Sequence, residues 1–267
     1  MSNRPQRIRV HSTRLFPKFE GAGAYRLTGI AARCDWVVLS DPGRDGATVA
    51  LRDNGQASPR TVFLSLRAPF AALSCFHDQV LPRIKTDFVL VSGSEDVTLP
   101  NQRDRRWRRF DERERAMIDA ILAHPRLRHW FIENRDEVLP RTSSLPLGYV
   151  FMHGESDLIE VPPPATPLAE RPLRAFCAHR ERAGPQWDTR RRVSALCRRE
   201  WSDVADLVEE ELPLDRFRQA LRRYPFALCV QGGGLDPAPK AWLALVEGTI
   251  PVIRSSPLDD AYADFLL

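Results

Sequence analysis

An α/β protein with two Rossmann-like domains is the fold class predicted for this 267-residue chain, on three observations. Short apolar runs alternate with helical segments through both halves, as βα repeats do and hairpin meanders do not. Glu160–Pro172 holds five prolines (Pro162, Pro163, Pro164, Pro167 and Pro172), a stiff stretch suited to joining two domains. At 43% hydrophobic residues, the chain can bury one large core or two modest ones. The predicted boundaries are a first domain over 1–160, a linker over 161–172 and a second domain over 173–267.

In the first half, Arg7–His11 reads as the strand that opens a sheet, with His11 at its C-terminal end. Open α/β sheets hold ligands at that end, which makes His11 a candidate site residue. Gly21–Tyr25 reads as a turn, Trp36–Ser40 as the next strand and Asp41–Gln56 as a polar, Gly-containing surface loop. Thr61–Leu66 is a third strand, Phe70–Ile84 a helix and Phe88–Ser92 a fourth strand. That strand runs into Gly93-Ser94-Glu95-Asp96, which places two carboxylates at its C-terminal end. Glu95 and Asp96 are therefore candidates to take a proton from a hydroxyl, a task that needs a carboxylate or imidazole; a loop-capping Asp is the competing reading. Arg103–Arg109 is the densest basic run, but Asp111, Glu112 and Glu114 follow at once. This reads as the solvated start of a helix over Asp111–Ala123 rather than a nucleic-acid patch. His129–Ile132 is a further strand, followed by Glu133-Asn134.

The second half opens on the strand Leu173–Ala178 and a helix that begins with Arg190, Arg191 and Arg192. Spacing alone does not say which of these three arginines points inward. Phe226–Val230 has the continuous apolar character of a strand buried on both faces. Gly232, Gly233 and Gly234 follow, and Pro237 and Pro239 suit the first turn of a helix that stops at Gly248. Free N–H groups at such a helix start favour a phosphate, and Lys240 adds a positive charge. Thr249–Ile253 is the next strand, and Ser255-Ser256-Pro257 makes the turn after it.

Read as one string, Gly232, Gly234, Leu235, Asp236, Lys240, Trp242, Ala244, Leu245, Gly248, Ile250, Pro251, Val252, Ile253, Ser256, Leu258, Asp259 and Tyr262 resemble the nucleotide-sugar half of exostosin-like glycosyltransferases and their bacterial relatives. Gly93 to Asp96 with Val97 to Pro100, Trp130-Phe131 with Asn134, and Leu145–Val150 are similar to motifs of that family's first domain. The resemblance implies two domains facing across a cleft. It further implies a nucleotide-diphosphate sugar as co-substrate with no other cofactor, a glycan or other hydroxyl acceptor, and inverting transfer without a metal. Donor contacts are implied at Arg190 or Arg191, Gly232, Gly233, Gly234, Asp236, Lys240, Ser255 and Ser256, with Asp96, Glu95 or His11 as base. The family's ribose-binding acid is replaced by Leu243; Glu247, one turn on, lies on roughly the same helix face and is the candidate substitute. Measured against that family, the second domain ends short of a final strand and its closing helices, so its sheet is expected to have an unprotected edge. The departure at Leu243 also supports a second reading, a catalytically degenerate protein that binds a sugar nucleotide or glycan.

Composition narrows the classes further. Net charge is +4, with 39 basic and 35 acidic residues interspersed, a balance that disfavours a dedicated nucleic-acid binder. The five cysteines are scattered, without a paired or metal-ligand spacing. Cys177 and Cys229 lie in apolar runs, as buried thiols do, and a reducing compartment is expected. No apolar run reaches the ~18 residues of a membrane span, and the basic N-terminus lacks the apolar core of a secretion signal. A cytoplasmic location is the expectation.

Overall fold

The computed structural model describes residues 6–43, 46–150, 158–161, 166–237 and 239–265. They form two compact units, each with its own sheet. Of the described residues, the first comprises those within 11–150 with 234–236 and 256–265, and the second 6–10, 158–161, 166–233, 237 and 239–255. The chain is thus not divided once at a linker. Gly234–Asp236 and the C-terminal segment, expected in the second domain, pack with the first unit, while the N-terminal residues pack with the second.

Gln6–Arg9 (β1) accordingly opens no Rossmann sheet. The first unit is built on Trp36–Gly43 (β2), Gly46–Arg52 (β3), Thr61–Ser65 (β4), Phe88–Gly93 (β5), Leu127–Glu133 (β6) and Thr142–Leu145 (β7). The strand order is β3-β2-β4-β5-β6-β7, with β3 antiparallel and the rest parallel. Asp41–Gln56 is expected to be a surface loop, but Asp41–Gly43 continue β2 and Gly46–Arg52 pair antiparallel with it as β3. Asp41 keeps β2 extended because its buried carboxylate accepts from Gly21 N (2.9 Å) and Tyr25 Oη (2.7 Å). From β2 to β7 the parallel strands advance in one direction, so right-handed crossovers set their helices on one face. These are Pro69–Cys75 (α1), prolonged by further helical turns to Arg83, and Glu112–Ala123 (α2). On that face Val38, Leu64, Leu90 and Trp130 meet Phe76, Ile118 and Ile121. The alternate residues Val37, Leu39, Phe63 and Val91 point the other way, where Leu15, Ala22, Tyr25 and Ala31 of the N-terminal segment cover them. Asp111 caps α2 in a capping box with Glu114, and Arg108 binds Glu114 at 2.7 Å.

In the second unit β1 pairs antiparallel with Leu158–Val161 (β8), and Arg7 binds Glu160 across the ribbon at 2.9 Å. Pro162–Pro164 lie outside the described residues. The end of the expected linker is anchored: buried Arg171 donates to the carbonyls of Tyr224 (3.0 Å) and Gly248 (2.9 Å). Ala175–Ala178 (β9), Asp188–Arg198 (α3), Ala205–Val208 (β10), Leu214–Leu221 (α4), Phe226–Leu228 (β11), Pro239–Val246 (α5) and Ile250–Val252 (β12) then form a fully parallel sheet of order β10-β9-β11-β12. The first strand lies inside and the direction of winding reverses beside it, the doubly wound order of flavodoxin-like sheets. Helices consequently cover both faces. Cys177, Cys197 and Ala205 pack on the α3 side, and Phe176, Leu221, Ala227, Ala241 and Ala244 on the side of α4 and α5. β12 is an edge strand, with Val252 43% exposed.

Candidate functional site

The reversal in the second sheet lies between β9 and β11, and open α/β sheets hold ligands outside the strand ends at such a point. A cleft of about 710 Å³ occupies that place. Its lining comes from the residues that follow each strand: Ala178 to Arg182 after β9, Glu209 to Leu212 after β10, and Pro239 and Lys240 at the start of α5, together with Trp187 and Arg190. Arg190 Nε donates to Gln231 O (3.1 Å) and Nη1 to Arg180 O (3.3 Å), and its guanidinium lies 4.6 Å from the centre of the Trp187 ring. Lys240 Nζ donates to Ala178 O at 3.1 Å. Burial, with Arg190 nearby, lowers the Lys240 ammonium to about 8, so its charged form is disfavoured there. His179 is a neutral wall residue. Burial and the charges of Lys240 and Arg190 hold it at about 4, while Nε2 donates to Arg190 O (3.1 Å). Among the wall's acids, Glu211 pairs with Arg180, and Glu209 with Arg198 at 2.6 Å.

The predicted donor residues separate on this frame. Arg190 and Lys240 meet in the cleft. Arg191 instead turns outward to pair with Asp188 and to reach Arg182 O (2.8 Å). Gly232 and Gly233 belong to this unit, half-buried, and Ser255 is exposed beyond β12. Gly234 and Asp236 do not join them. A Cβ on Gly234 would stand 2.5 Å from Asn134 Oδ1, so close side-chain packing, not a phosphate, calls for glycine there. Asp236 accepts from Leu147 N (3.0 Å) and Tyr262 Oη (2.7 Å) within the first unit. The Ser256 N–H donates to Asp259 Oδ1 (2.9 Å), closing a turn. Glu247 is also displaced: at about 1.5 Å of rise per residue it lies roughly 10 Å along the helix from Lys240. It is buried there against Arg218 and Arg222, outside the cleft lining. Leu243, where the resemblance places an acid, packs into the apolar core.

A second polar centre gathers at the C-terminal ends of β4, β5 and β6 in the first unit. Ser94 and Asn134 turn the chain out of β5 and β6 with φ of 75° and 58°, left-handed values that raise the energy of a non-glycine residue by about 1 kcal/mol. Hydrogen bonds offset this: Leu15 N donates to Ser94 Oγ (3.1 Å), and Leu235 N and Asp236 N each donate to Asn134 Oδ1 (2.8 Å). The two turns bring Glu95, Asp96 and Glu133 together around Arg14. Its Nη2 lies 2.6 Å from Asp96 Oδ1 and 3.6 Å from Glu133 Oε1. Arg106, from the basic run, reaches Asp96 (3.0 Å), Glu95 (3.1 Å) and Asp104 (2.7 Å), and Arg67 pairs with Glu95.

The two best-placed carboxylates have opposite chemistry. Burial opposes ionisation of Asp96, but Arg14 and Arg106 outweigh it and hold the group at about 2. Asp96 is the more open of the pair, with 27% of its side chain exposed, yet it is a weak base. Glu133 has no exposure, and burial pushes it up to about 7 against the pull of Arg14 and the hydrogen bonds from Thr13 Oγ1 (2.5 Å) and Ser94 N (2.8 Å). Glu95 is tied to three arginines. His11, half-buried, contributes its carbonyl to Tyr149 N (2.9 Å). Sequence reasoning missed Glu133 as a site residue although its strand-end position is the one that singled out Asp96. Arg14 and Lys18 carry no local signal at all, since only folding brings their segment to the strand ends. No family model matches the chain, and no curated protein sequence matches it.

Proposed function

We propose that the chain is a glycosyltransferase that moves a sugar from a nucleotide-diphosphate sugar to a hydroxyl acceptor, by inverting transfer in the manner of exostosin-like enzymes. The observation that carries this reading is the meeting of Arg190 and Lys240 in a cleft at the winding reversal of the second sheet. Two cations at strand ends and a helix start suit the diphosphate and offset the charge that develops on it as the sugar leaves. Trp187 offers an aromatic face beside them. The acceptor side falls to the first unit. There Asp96 is basic enough to accept a hydrogen bond and orient a hydroxyl, while Glu133 has the basicity of a general base but no exposure. That separation favours, as a second reading, a protein that binds the sugar nucleotide without turning it over.

Thermal shift of the purified chain against UDP, GDP, ADP, CMP and their sugars tests the donor assignment. A ligand at ~100 times its Kd adds about 2.7 kcal/mol of stability. One nucleotide class is expected to shift the melting point, and Arg190→Ala and Lys240→Ala each to weaken its binding about tenfold, the loss of one charge-assisted hydrogen bond. Absence of any nucleotide shift from folded protein, or unchanged affinity in both variants, refutes the assignment. Binding without sugar transfer to any acceptor selects the second reading.

A further inference from the structure

The segment between Arg14 and Gly21 leaves positive charge without a matching acid at the strand ends of the first unit. Lys18, half-buried, makes no ion pair among the described residues; its nearest aromatic partner is the Phe16 ring, 5.6 Å away. Beside it, Arg67 is 4% exposed; its Nη2 forms an ion pair with Asp41 Oδ1 at 3.7 Å but makes no hydrogen bond. The other Arg67 nitrogens are taken, Nη1 by Glu95 and Nε by Tyr25 Oη (3.2 Å). Phe19 stands over the Arg67 guanidinium at 4.9 Å, yet 71% of it is exposed and its backbone has a φ of 67°. A large apolar ring thus stands exposed over a buried cation, on backbone whose left-handed φ raises its energy.

We propose that Lys18 and the Nη2 edge of Arg67, beneath Phe19, form a binding site for an oxyanion, a phosphate or carboxylate group carried by the ligand that reaches these strand ends. Electrostatics support the sign of the charge. Burial lowers the Lys18 ammonium to about 7, and repulsion from Arg14 and Arg67 exceeds the attraction of Asp96 and Glu133. Asp41, Glu95, Asp96 and Asp104 are all engaged by Arg14, Arg67 and Arg106, which leaves Lys18 without a carboxylate partner of its own among the described residues. Assigning this anion to the acceptor rests on the glycosyl-transfer reading, whereas the site itself rests on its own geometry. In that reading the acceptor carries an acidic group beside its reacting hydroxyl.

An NMR titration of the isotope-labelled full chain tests the site, with inorganic phosphate in one arm and glucuronate in the other, each against chloride at equal ionic strength. The backbone amides of Lys18 and Phe19 are expected to shift saturably with at least one probe, and the stronger probe identifies the group. Lys18→Met should abolish those shifts while Lys18→Arg retains them. Absence of Lys18 and Phe19 shifts with both probes, or shifts unchanged in Lys18→Met, overturns the proposal. Phosphate shifts confined to the amides around Arg190 and Lys240 also overturn it while leaving the donor site intact. Shifts at Lys18 and Phe19 from a chain that binds no nucleotide would uphold the anion site and remove the transferase reading.

Discussion

Glu133→Gln should flatten a slope in the pH dependence of stability. Glu133 is fully buried, and burial pushes its carboxyl up to about 7 in the fold from an ordinary 4.5. The fold therefore prefers the protonated form. Its contribution is fully present below about 4.5 and is lost as pH rises through about 7. At about 1.4 kcal/mol per pKa unit, the loss across that window is about 3 kcal/mol. Glutamine keeps an acceptor for Thr13 Oγ1 and Ser94 N, which both address one oxygen, and it cannot ionise. Urea unfolding of both proteins at about pH 5 and about pH 8 isolates this group, because the remaining titrations cancel in the difference. Wild-type stability relative to Glu133→Gln should fall by about 2.5 kcal/mol between the two conditions, since part of the loss already lies below about pH 5. A difference that does not change with pH would show that Glu133 is ionised throughout, and the reasoning about its burial would fail.

Two further substitutions probe the corrections made by the structure. Gly234→Ala places a methyl 2.5 Å from Asn134 Oδ1 and 2.9 Å from Asp96 O, so Asn134 must release the buried N–H groups of Leu235 and Asp236. Denaturant unfolding should register a loss of about 2–4 kcal/mol; a neutral result would mean that the segment relaxes and that close packing does not explain the glycine. Leu243→Glu restores the acid that the resemblance places there but drives a carboxylate against the apolar core of α4 and α5. It should destabilise the chain by about 2 kcal/mol without improving nucleotide affinity, as thermal melts with and without ligand would report. Tighter nucleotide binding by this variant would return position 243 to the donor site.

Periodicity and turn chemistry made the elements readable in advance. The runs at Trp36, Thr61, Phe88, His129, Leu173 and Phe226 are all strands because an apolar run bounded by turn residues has few other uses. The helix after Asp111 was readable from its acids, and the stop at Gly248 (φ 68°) from the glycine itself. The mixed α/β class followed from those elements alone. Asp41 defeated this reasoning, since a buried acid accepting from Gly21 and Tyr25 looks, in sequence, like the start of a loop.

Sequence determined what each segment is, because helix periodicity, strand periodicity and turn preference act over a few neighbouring residues. Only tertiary structure decided where the segments meet. It placed Arg190 in the cleft and turned Arg191 out, a choice set by one residue of helix rotation. It assigned Gly234 and Asp236 to the first unit through Asn134, about a hundred residues earlier in the chain. It also divided exposure from basicity between Asp96 and Glu133, two carboxylates with similar sequence surroundings. Proton affinity depends on water lost and charges gained around a group, and those neighbours come from distant parts of the chain.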